Sequence, residues 1–587
     1  MIRTFVPTRF ESSHCRRRSA ALRAAATLVI ALLGGLASLS HPVFAQAPAA
    51  SRGVPAPLNV SAPPLARTAT TVVLLWDRPP GAEMISSYQV FNDGKLVGET
   101  TRLSFTVRHL PPGKTHRFTV RGRGAPGQWS ANSAPVVVTT KTTGAVFNVR
   151  DHGARGDGVA KDTPAIQAAI AACTPGGTVL VPPGVYSVDH FELKSDITLE
   201  LSTGATLQFL GREKGNYPTG RVTLPGPDGD VEVDNFALIS AVRAKNLTIT
   251  GGGIINGHGE SWWPIRPLPR PRLLKLTACS DVFVQGITLD DAPAWNTHVV
   301  YADRAVFSEV SFRKVSTARG TNGDGLNPDS CRDVLIVGCT FANQDDSIAI
   351  KAGSVSPERP RRQRSCENIT IRDCVVDGTL TPGAHPLGFA VGSETCGGIR
   401  HVLIKDCVFR NAASVVNIKS NRARLGAVVE DIRVENCTYT NTVWKDEPYN
   451  RGPLTVDLFY YRDFGTPDSV APLTQATPVF RDFHFKNISI ENPKGRFAYL
   501  AGLIEQPVRN VTFDNVTGSA KIGLHGQNLD GVTLRDVSIA AAEGAAVHWI
   551  NAENRTVNPA TSFKFSCMRY IKVSANLTLI DTSYAGQ

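Results

Sequence analysis

G-T-N-G-D-G-L-N-P-D-S-C-R-D-V-L-I-V-G-C-T-F-A-N-Q-D-D-S-I-A-I-K-A-G, running from Gly320 to Gly353, decides how this chain is read. It places Asp324 21 residues before Asp345 and 22 before Asp346, with one short strand pattern, Val334 to Phe341, in between. If the backbone winds as a parallel β-helix, that spacing is close to one coil. The three carboxylates then sit on neighbouring coils, stacked roughly 4.8 Å apart along the axis. An Asp after Asn or Gly is ordinarily turn chemistry. A doublet one coil beyond Asn322-Gly323-Asp324 is more than a turn needs. Three acids on a rigid wall suit general acid/base work on a glycosidic bond.

The sequence around this stretch repeats. From about Ile197, short strands share the pattern apolar-x-apolar-x-x-apolar-x-apolar. The copies include Val282-Phe283-Val284, Val334-Leu335-Ile336, Ile369-Thr370-Ile371, Val402-Leu403-Ile404, Ile432-Arg433-Val434, Phe483-His484-Phe485, Val511-Thr512-Phe513 and Val532-Thr533-Leu534. A single coil cannot bury its own apolar face, so such copies stack. One column across them reads Ile287, Cys339, Cys374, Cys407, Cys437, Ile488, Val516, Val537. Cys sharing a column with Ile and Val packs as a small hydrophobe, which predicts reduced thiols at Cys339, Cys374, Cys407 and Cys437. Cys331 and Cys366 each precede a column Cys by eight residues, so they are candidate neighbours whose bridging is open. A second column, Asp291, Asn343, Gly378, Asn411, Asn441 and Asn492, reads as an asparagine ladder at a turn. No Cys shows the paired spacing with His that a metal site uses, so no metal and no cofactor is expected.

Length and composition agree with an elongated repeat fold. The chain has 587 residues, 42% apolar and 19% charged, with 51 Gly. Its net charge is +11, of which the first 45 residues supply +5, leaving +6. That modest excess favours an acidic partner. No dense basic run with interleaved aromatics appears beyond the N-terminus, so nucleic acid is not expected. Residues 1–45 read as an export signal: Arg16-Arg17-Arg18, an apolar run from Ala24 to about Leu39, then Val43-Phe44-Ala45 for cleavage. No other segment reads as a membrane span, so an exported, secreted protein is expected. The sequence leaves the oligomeric state open.

Residues 46–56 form an Ala-, Pro- and Ser-rich linker, and 57–141 read as a small all-β unit. Its strands are Val72 to Trp76, Ser87 to Phe91 turned by Asn92-Asp93-Gly94 into Leu96-Val97, and Phe118 to Val120. The spacing resembles a fibronectin type III domain with Trp76 in its core and His116 where a corner tyrosine is usual. A spacer or a substrate-targeting module are its two readings. Residues 145–587 then form the β-helix. It opens on a helix capped by Thr163 with Pro164 in its first turn, and Ala165, Ile166, Ala169 and Ile170 on one face. This helix covers the open end of the solenoid. The fold class expected is all-β, a right-handed parallel β-helix behind a β-sandwich.

Over about 145–545 the chain resembles the polygalacturonases, glycoside hydrolase family 28. The likeness lies in Gly153-Ala154-x-Gly156-Asp157-Gly158, Gly251 to Gly257 with Trp262-Trp263, Pro293-Ala294-Trp295-Asn296, Asn322-Gly323-Asp324 and Asn343-Gln344-Asp345-Asp346. The resemblance implies a general acid at Asp345, water-activating carboxylates at Asp324 and Asp346, and inverting hydrolysis of pectin. Two motifs depart. Pro386-Leu387-Gly388 stands where the family has G-H-G, with His385 just upstream. Asn417-Ile418-Lys419 stands where it has R-I-K, keeping the cation of Lys419, with Arg422 and Arg424 following. The family's tyrosine falls on Tyr460. Substrate contacts are thus expected from Lys419, Asn322, Tyr460, His385, Asn417 and Arg422. A front β-domain resembles the exo-acting bacterial members, whose grooves are walled; Tyr217–Glu232 and Ser356–Arg364 are the candidate walls. The partner implied is an acidic polysaccharide, polygalacturonate or another uronic-acid pectin chain such as rhamnogalacturonan. A Ca²⁺-dependent pectate lyase and a non-catalytic carbohydrate-binding β-helix are the rival readings.

Overall fold

The structure is a computed structural model that describes residues 53–80, 85–125, 127–264, 269–355, 361–424, 427–443, 451–460, 465–558 and 561–564. The expected export signal, most of the linker and residues 356–360 of the second wall lie outside the described residues. From Val146 the chain forms a right-handed parallel β-helix, and almost every strand pairs in parallel with the strand one coil later. Each central coil carries three short strands, which stack into three faces. The floor face runs through Ala237–Val242, Arg272–Thr277, Thr297–Val300, Leu326–Asp329, Ile348–Ile350, Phe389–Val391, Val416–Lys419 and Leu454–Asp457. The back face runs through Ser280–Gln285, Asp303–Ser308, Arg332–Val337, Cys366–Arg372 and Ile399–Lys405. Alternate residues point inward, and one continuous apolar core runs the length of the solenoid.

The strand copies expected from sequence are strands, and the coil at Asp303–Ser308, which the repeat alignment skipped, lies between the first two of them. The cysteine column is real: Cys437 pairs with Ile488 and Ile488 with Val516 in successive coils. All nine cysteines among the described residues are buried and unpaired. Cys331 and Cys366 sit on neighbouring coils, where Glu367 N donates to Cys331 O at 2.9 Å, and are not bridged.

The asparagine ladder lies five residues before the expected column, as Asn436 does before Asn441. It consists of the residue just before each position of the cysteine column. Asn436 donates to Asp406 at 3.0 Å, Asn487 to Asn436 at 2.9 Å and Asn515 to Asn487 at 3.0 Å. Their φ values of 57°, 55°, 52° and 52° (Asp406, Asn436, Asn487, Asn515) explain the choice, since Asn and Asp tolerate the left-handed region better than other residues with a Cβ. The residues expected to form the ladder bond turn backbone instead, as Asn441 does to Ala412 O. Helix α1, Thr163–Ala172, covers the first coil with the expected apolar face; its N-cap is Asp162 rather than Thr163, whose hydroxyl accepts from Asp189 N.

Ahead of the solenoid, seven strands form two antiparallel sheets: β1 (Leu58–Ser61), β2 (Val72–Asp77) and β5 (Ser104–Val107) in one, β4 (Lys95–Thr100), β3 (Ser87–Asn92), β6 (Thr115–Arg123) and β7 (Val136–Thr139) in the other. Trp76 is fully buried between them. His116 pairs with Asn92 at 3.2 Å and stacks on Phe118. This unit is not a loose spacer. Ala66, Val73 and Leu75 pack on Phe283, Val306 and Val337 of the back face. Around that patch Arg372 donates to Trp76 O at 2.6 Å, Lys405 to Asp77 at 2.7 Å, and Ser104 bonds Asp373. The contact covers the coils whose floor strands carry the Gly320–Gly353 stretch. Phe283→Ala should therefore cost about 3 kcal/mol or more, by the usual Phe→Ala range, and the sandwich and solenoid should melt together. Differential scanning calorimetry checks this; an independent early transition for the sandwich would contradict it.

Candidate active site

Asp324 and Asp346 each stand two residues before a floor strand, and Leu326 pairs with Ile348 in parallel register. The backbone therefore winds once between them. Gly325 N donates to Asp346 O at 2.9 Å, and Asn296 N donates to Asp324 O at 2.7 Å. Both carboxylates are at the same corner of successive coils, 3% and 4% exposed. Asp345 is half-buried and has φ +95°, well beyond the left-handed well that Asn and Asp commonly occupy. Strain of this kind persists where neighbours fix it. Here Asn343 donates from one amide to Gly323 O, Asp345 O and Asp346 O at 3.0, 3.1 and 3.1 Å, while Leu387 N donates to Asp345 O at 2.9 Å. Asn343, expected in the turn ladder and in the Asn343 to Asp346 motif, ties the coil of Asp324 to that of Asp345 and Asp346.

The charges on this corner are paired in a pattern. Lys419 Nζ lies 2.7 Å from Asp346 Oδ2, both side chains buried, and 5.0 Å from the Tyr460 ring centroid. Lys419 is thus no exposed lysine. Lys351 Nζ lies 3.0 Å from Glu394, 3.8 Å from Asp324 and 4.3 Å from the Trp295 ring. Burial, then the charge of Asp345, pushes the Asp324 carboxyl well above the usual range. Burial, then the charge of Asp346, pushes Asp345 up. Burial opposes the charge on Lys419, but Asp346 outweighs it and holds the ammonium. Burial also opposes the charge on Glu394, yet Lys351 brings its carboxyl down to about 2. The Asp345 carboxylate accepts from Asp346 N at 3.0 Å and has no cation in ion-pair range among the described residues, so it is the member best placed to hold a proton. Asp346 Oδ1 is buried without a protein hydrogen-bond partner. A buried acceptor left so costs about 1–3 kcal/mol, and a water or sugar hydroxyl would satisfy it.

The other expected contacts divide. Asn417 is buried on the floor between Ala390 and Thr455. Asn322 is exposed on the rim and accepts from Arg270 at 2.9 Å. His385 is exposed beside the site, but the strand register aligns it with Gln344 and aligns Pro386 with Asp345. Arg422 is gripped by Glu505 through two bonds of 2.7 and 3.0 Å, so its charge is taken up there. Lys351, Glu394 and Asn343 were not anticipated. The alternation Ser347-x-Ala349-x-Lys351 outward along one strand was the signal for the lysine.

The first expected wall exists. Arg221–Leu224 and Val231–Asp234 form an antiparallel hairpin whose Val222, Leu224, Val231 and Val233 pack on Val300 and Tyr301, one coil before Asp329. Lys275, fully buried on the floor, reaches Asp234 at 3.1 Å, and burial lowers its pKa to about 8. Of the second wall, Arg362 pairs with Asp228 at 2.9 Å, so the two segments meet.

Comparison with known proteins fixes the class. The family described as Glycosyl hydrolases family 28 matches residues 174–521, more than half of the chain. The chain belongs to that family. It is therefore a glycoside hydrolase. A second family description, Rhamnogalacturonase A/epimerase, pectate lyase-like, matches residues 146–201 at the capping end. Among curated relatives, an exo-poly-α-D-galacturonosidase from Dickeya chrysanthemi is 26% identical over 544 residues, covering 78% of this chain and 86% of that one. A probable polygalacturonase from Vitis vinifera is 27% identical over 385 residues, covering 62% and 73%. The structure of a family 28 exopolygalacturonase from Yersinia enterocolitica shares the fold with TM-score 0.70 at 21% identity, over 86% of this chain and all of that one.

Lys419→Met should do two things. It leaves Asp346 buried without its cation, costing about 3–5 kcal/mol in a denaturant melt. It also removes a charge that lowers Asp345, so the residual activity should lose its proton donor at higher pH than wild type does. The sign follows from the acid form: Asp345 donates only while protonated, and its raised pKa extends that form upward. A stability loss under about 1 kcal/mol, or an alkaline limb moved downward, would contradict the assignment.

Proposed function

We propose that the chain hydrolyses α-1,4-galacturonosidic bonds of polygalacturonate with inversion, attacking from chain ends. The observation that carries this is the placement of Asp324, Asp345 and Asp346 on successive coils of one walled groove, with the Lys419 ammonium on Asp346. Asp345 gives its proton to the glycosidic oxygen as that bond breaks. Asp324 and Asp346 take a proton from water, whose oxygen bonds to the anomeric carbon from the opposite face. Lys419 and Tyr460 meet the uronate ring, with Asn417 buried on the floor two residues before Lys419.

Two features support end attack. The hairpin packs on Val300 and Tyr301, one coil upstream of Asp324, and relatives named as exo-acting match most of the chain. Arg16 to Ala45 supports export to where pectin is found. The fibronectin type III likeness of the front sandwich rests on its strand order and Trp76.

Chromatography of early products from polygalacturonate tests the reading. Monomer or dimer alone is expected; a mixed ladder contradicts end attack, and an unsaturated product absorbing in the ultraviolet contradicts hydrolysis. Asp345→Asn should remove nearly all turnover with the fold intact. Activity within about tenfold of wild type, roughly 1.4 kcal/mol of barrier, would remove Asp345 from its role.

A further inference from the structure

The Arg221–Asp234 hairpin packs at one end of the floor, and the floor continues at the other. Beyond Asn417 the central floor column runs Thr455, Tyr499, His525, His548 on four further coils. At roughly 4.8 Å per coil this is a strip of about 19 Å, the length of a short oligosaccharide. The column changes character along its course. Near the carboxylates it holds small or amide side chains, Ala390, Asn417 and Thr455. Beyond them it holds rings. Tyr499 and His525 stack with centroids 5.2 Å apart at 10°, and His525 meets His548 with Nδ1 atoms 3.2 Å apart.

Two guanidiniums cover the first of these rings, Arg451 at 5.0 Å and Arg496 at 5.6 Å from the Tyr499 centroid. Arg451 is paired with Asp457 at 3.2 Å. Burial, then the charge of Arg496, lowers His525 to about 4, which reports the positive field at this place. A rim borders the strip: the segment around Asp468 is tied to it through Gln527 at 2.8 Å and Asn528 at 2.8 Å. Core packing accounts for Tyr499, which is buried. It does not account for half-buried arginines gathered over that ring, nor for the exposed His548 that extends the row.

We propose that these coils form an extended docking strip for the rest of the polyuronate chain, with Arg451 and Arg496 meeting ring carboxylates and His525 and His548 meeting hydroxyls. The proposal rests on the polygalacturonate reading and adds to it a direction: the chain end lies against the Arg221–Asp234 hairpin and the polymer leaves toward the C-terminal coils. Guanidinium pairs with carboxylate in two parallel bonds, which suits an acid on every sugar. Stacked coils repeat the same outward position, which suits a repeating ligand.

The test compares the full chain with its Arg496→Ala/His548→Ala variant on trigalacturonate and hexagalacturonate. The ratio of kcat/KM for the hexamer over the trimer should fall at least tenfold in the variant. A ratio within twofold of the parent's, whether both substrates suffer or neither does, overturns the strip. The same pair of substitutions in an Asp345→Asn background should weaken hexamer binding about tenfold by calorimetry while leaving the trimer's dissociation constant within twofold; equal weakening of both overturns it. Turnover of either oligomer by the parent chain reports on the function proposed above, and the ratio reports on the strip alone. A parent that neither cleaves nor binds either oligomer overturns both.

Discussion

One set of backbone hydrogen bonds holds this molecule's chemistry together: the parallel ladder that pairs Leu326 with Ile348 and Gly325 N with Asp346 O. Side chains of a strand alternate faces, so a slip of one residue would send Lys351 inward and Ile348 out. The register is defended from several directions. The apolar column of Cys, Ile and Val fills the interior beside it. The left-handed Asn and Asp residues bond one another from coil to coil along a corner. Asn343 pins the strained turn at Asp345 directly. The front sandwich braces the same coils from behind through Phe283, Val306, Val337 and Arg372.

The electrostatics follow from that register. Three carboxyls confined to one buried corner do not all ionise freely, because burial and mutual repulsion both favour the neutral form. The solenoid answers with two lysines, each from the floor of a different coil. Lys419 sits on Asp346, and Lys351 is shared between Glu394 and Asp324. Lys351 opposes the rise at Asp324, while no cation among the described residues comes within ion-pair distance of Asp345. Within two coils the site thus sets Asp345 apart from Asp346, which carries the Lys419 ion pair, and from Asp324, which has Lys351 at 3.8 Å. That is the division an acid and a base need.

What could be read beforehand was whatever repeats along the chain. Strand copies, the cysteine column and the one-coil spacing of Asp324 and Asp346 are periodic, and periodicity is visible in a string of residues. What could not be read depends on segments that fold over from elsewhere. Lys419 lies 73 residues from Asp346 in sequence, and nothing near it announces the pairing. Glu505 taking up Arg422, and Asp228 meeting Arg362, are of the same kind. The ladder was placed five residues too late because Asn stands at both corners, and which column bonds from coil to coil depends on side-chain geometry that the string of residues does not carry. The sandwich read as a spacer because an apolar patch such as Val73 and Leu75 looks the same whether it covers a partner or completes its own core.

Inverting hydrolysis requires that Asp324, Asp345 and Asp346 work as an acid facing water-activating bases in one cleft. Proton nuclear magnetic resonance of the first product released from polygalacturonate reads this directly, before the anomers equilibrate. A β-configured reducing end, inverted from the α-linked substrate, is the result predicted. An α-configured end would mean a covalent intermediate on one of these carboxylates, and it would contradict the arrangement proposed for them.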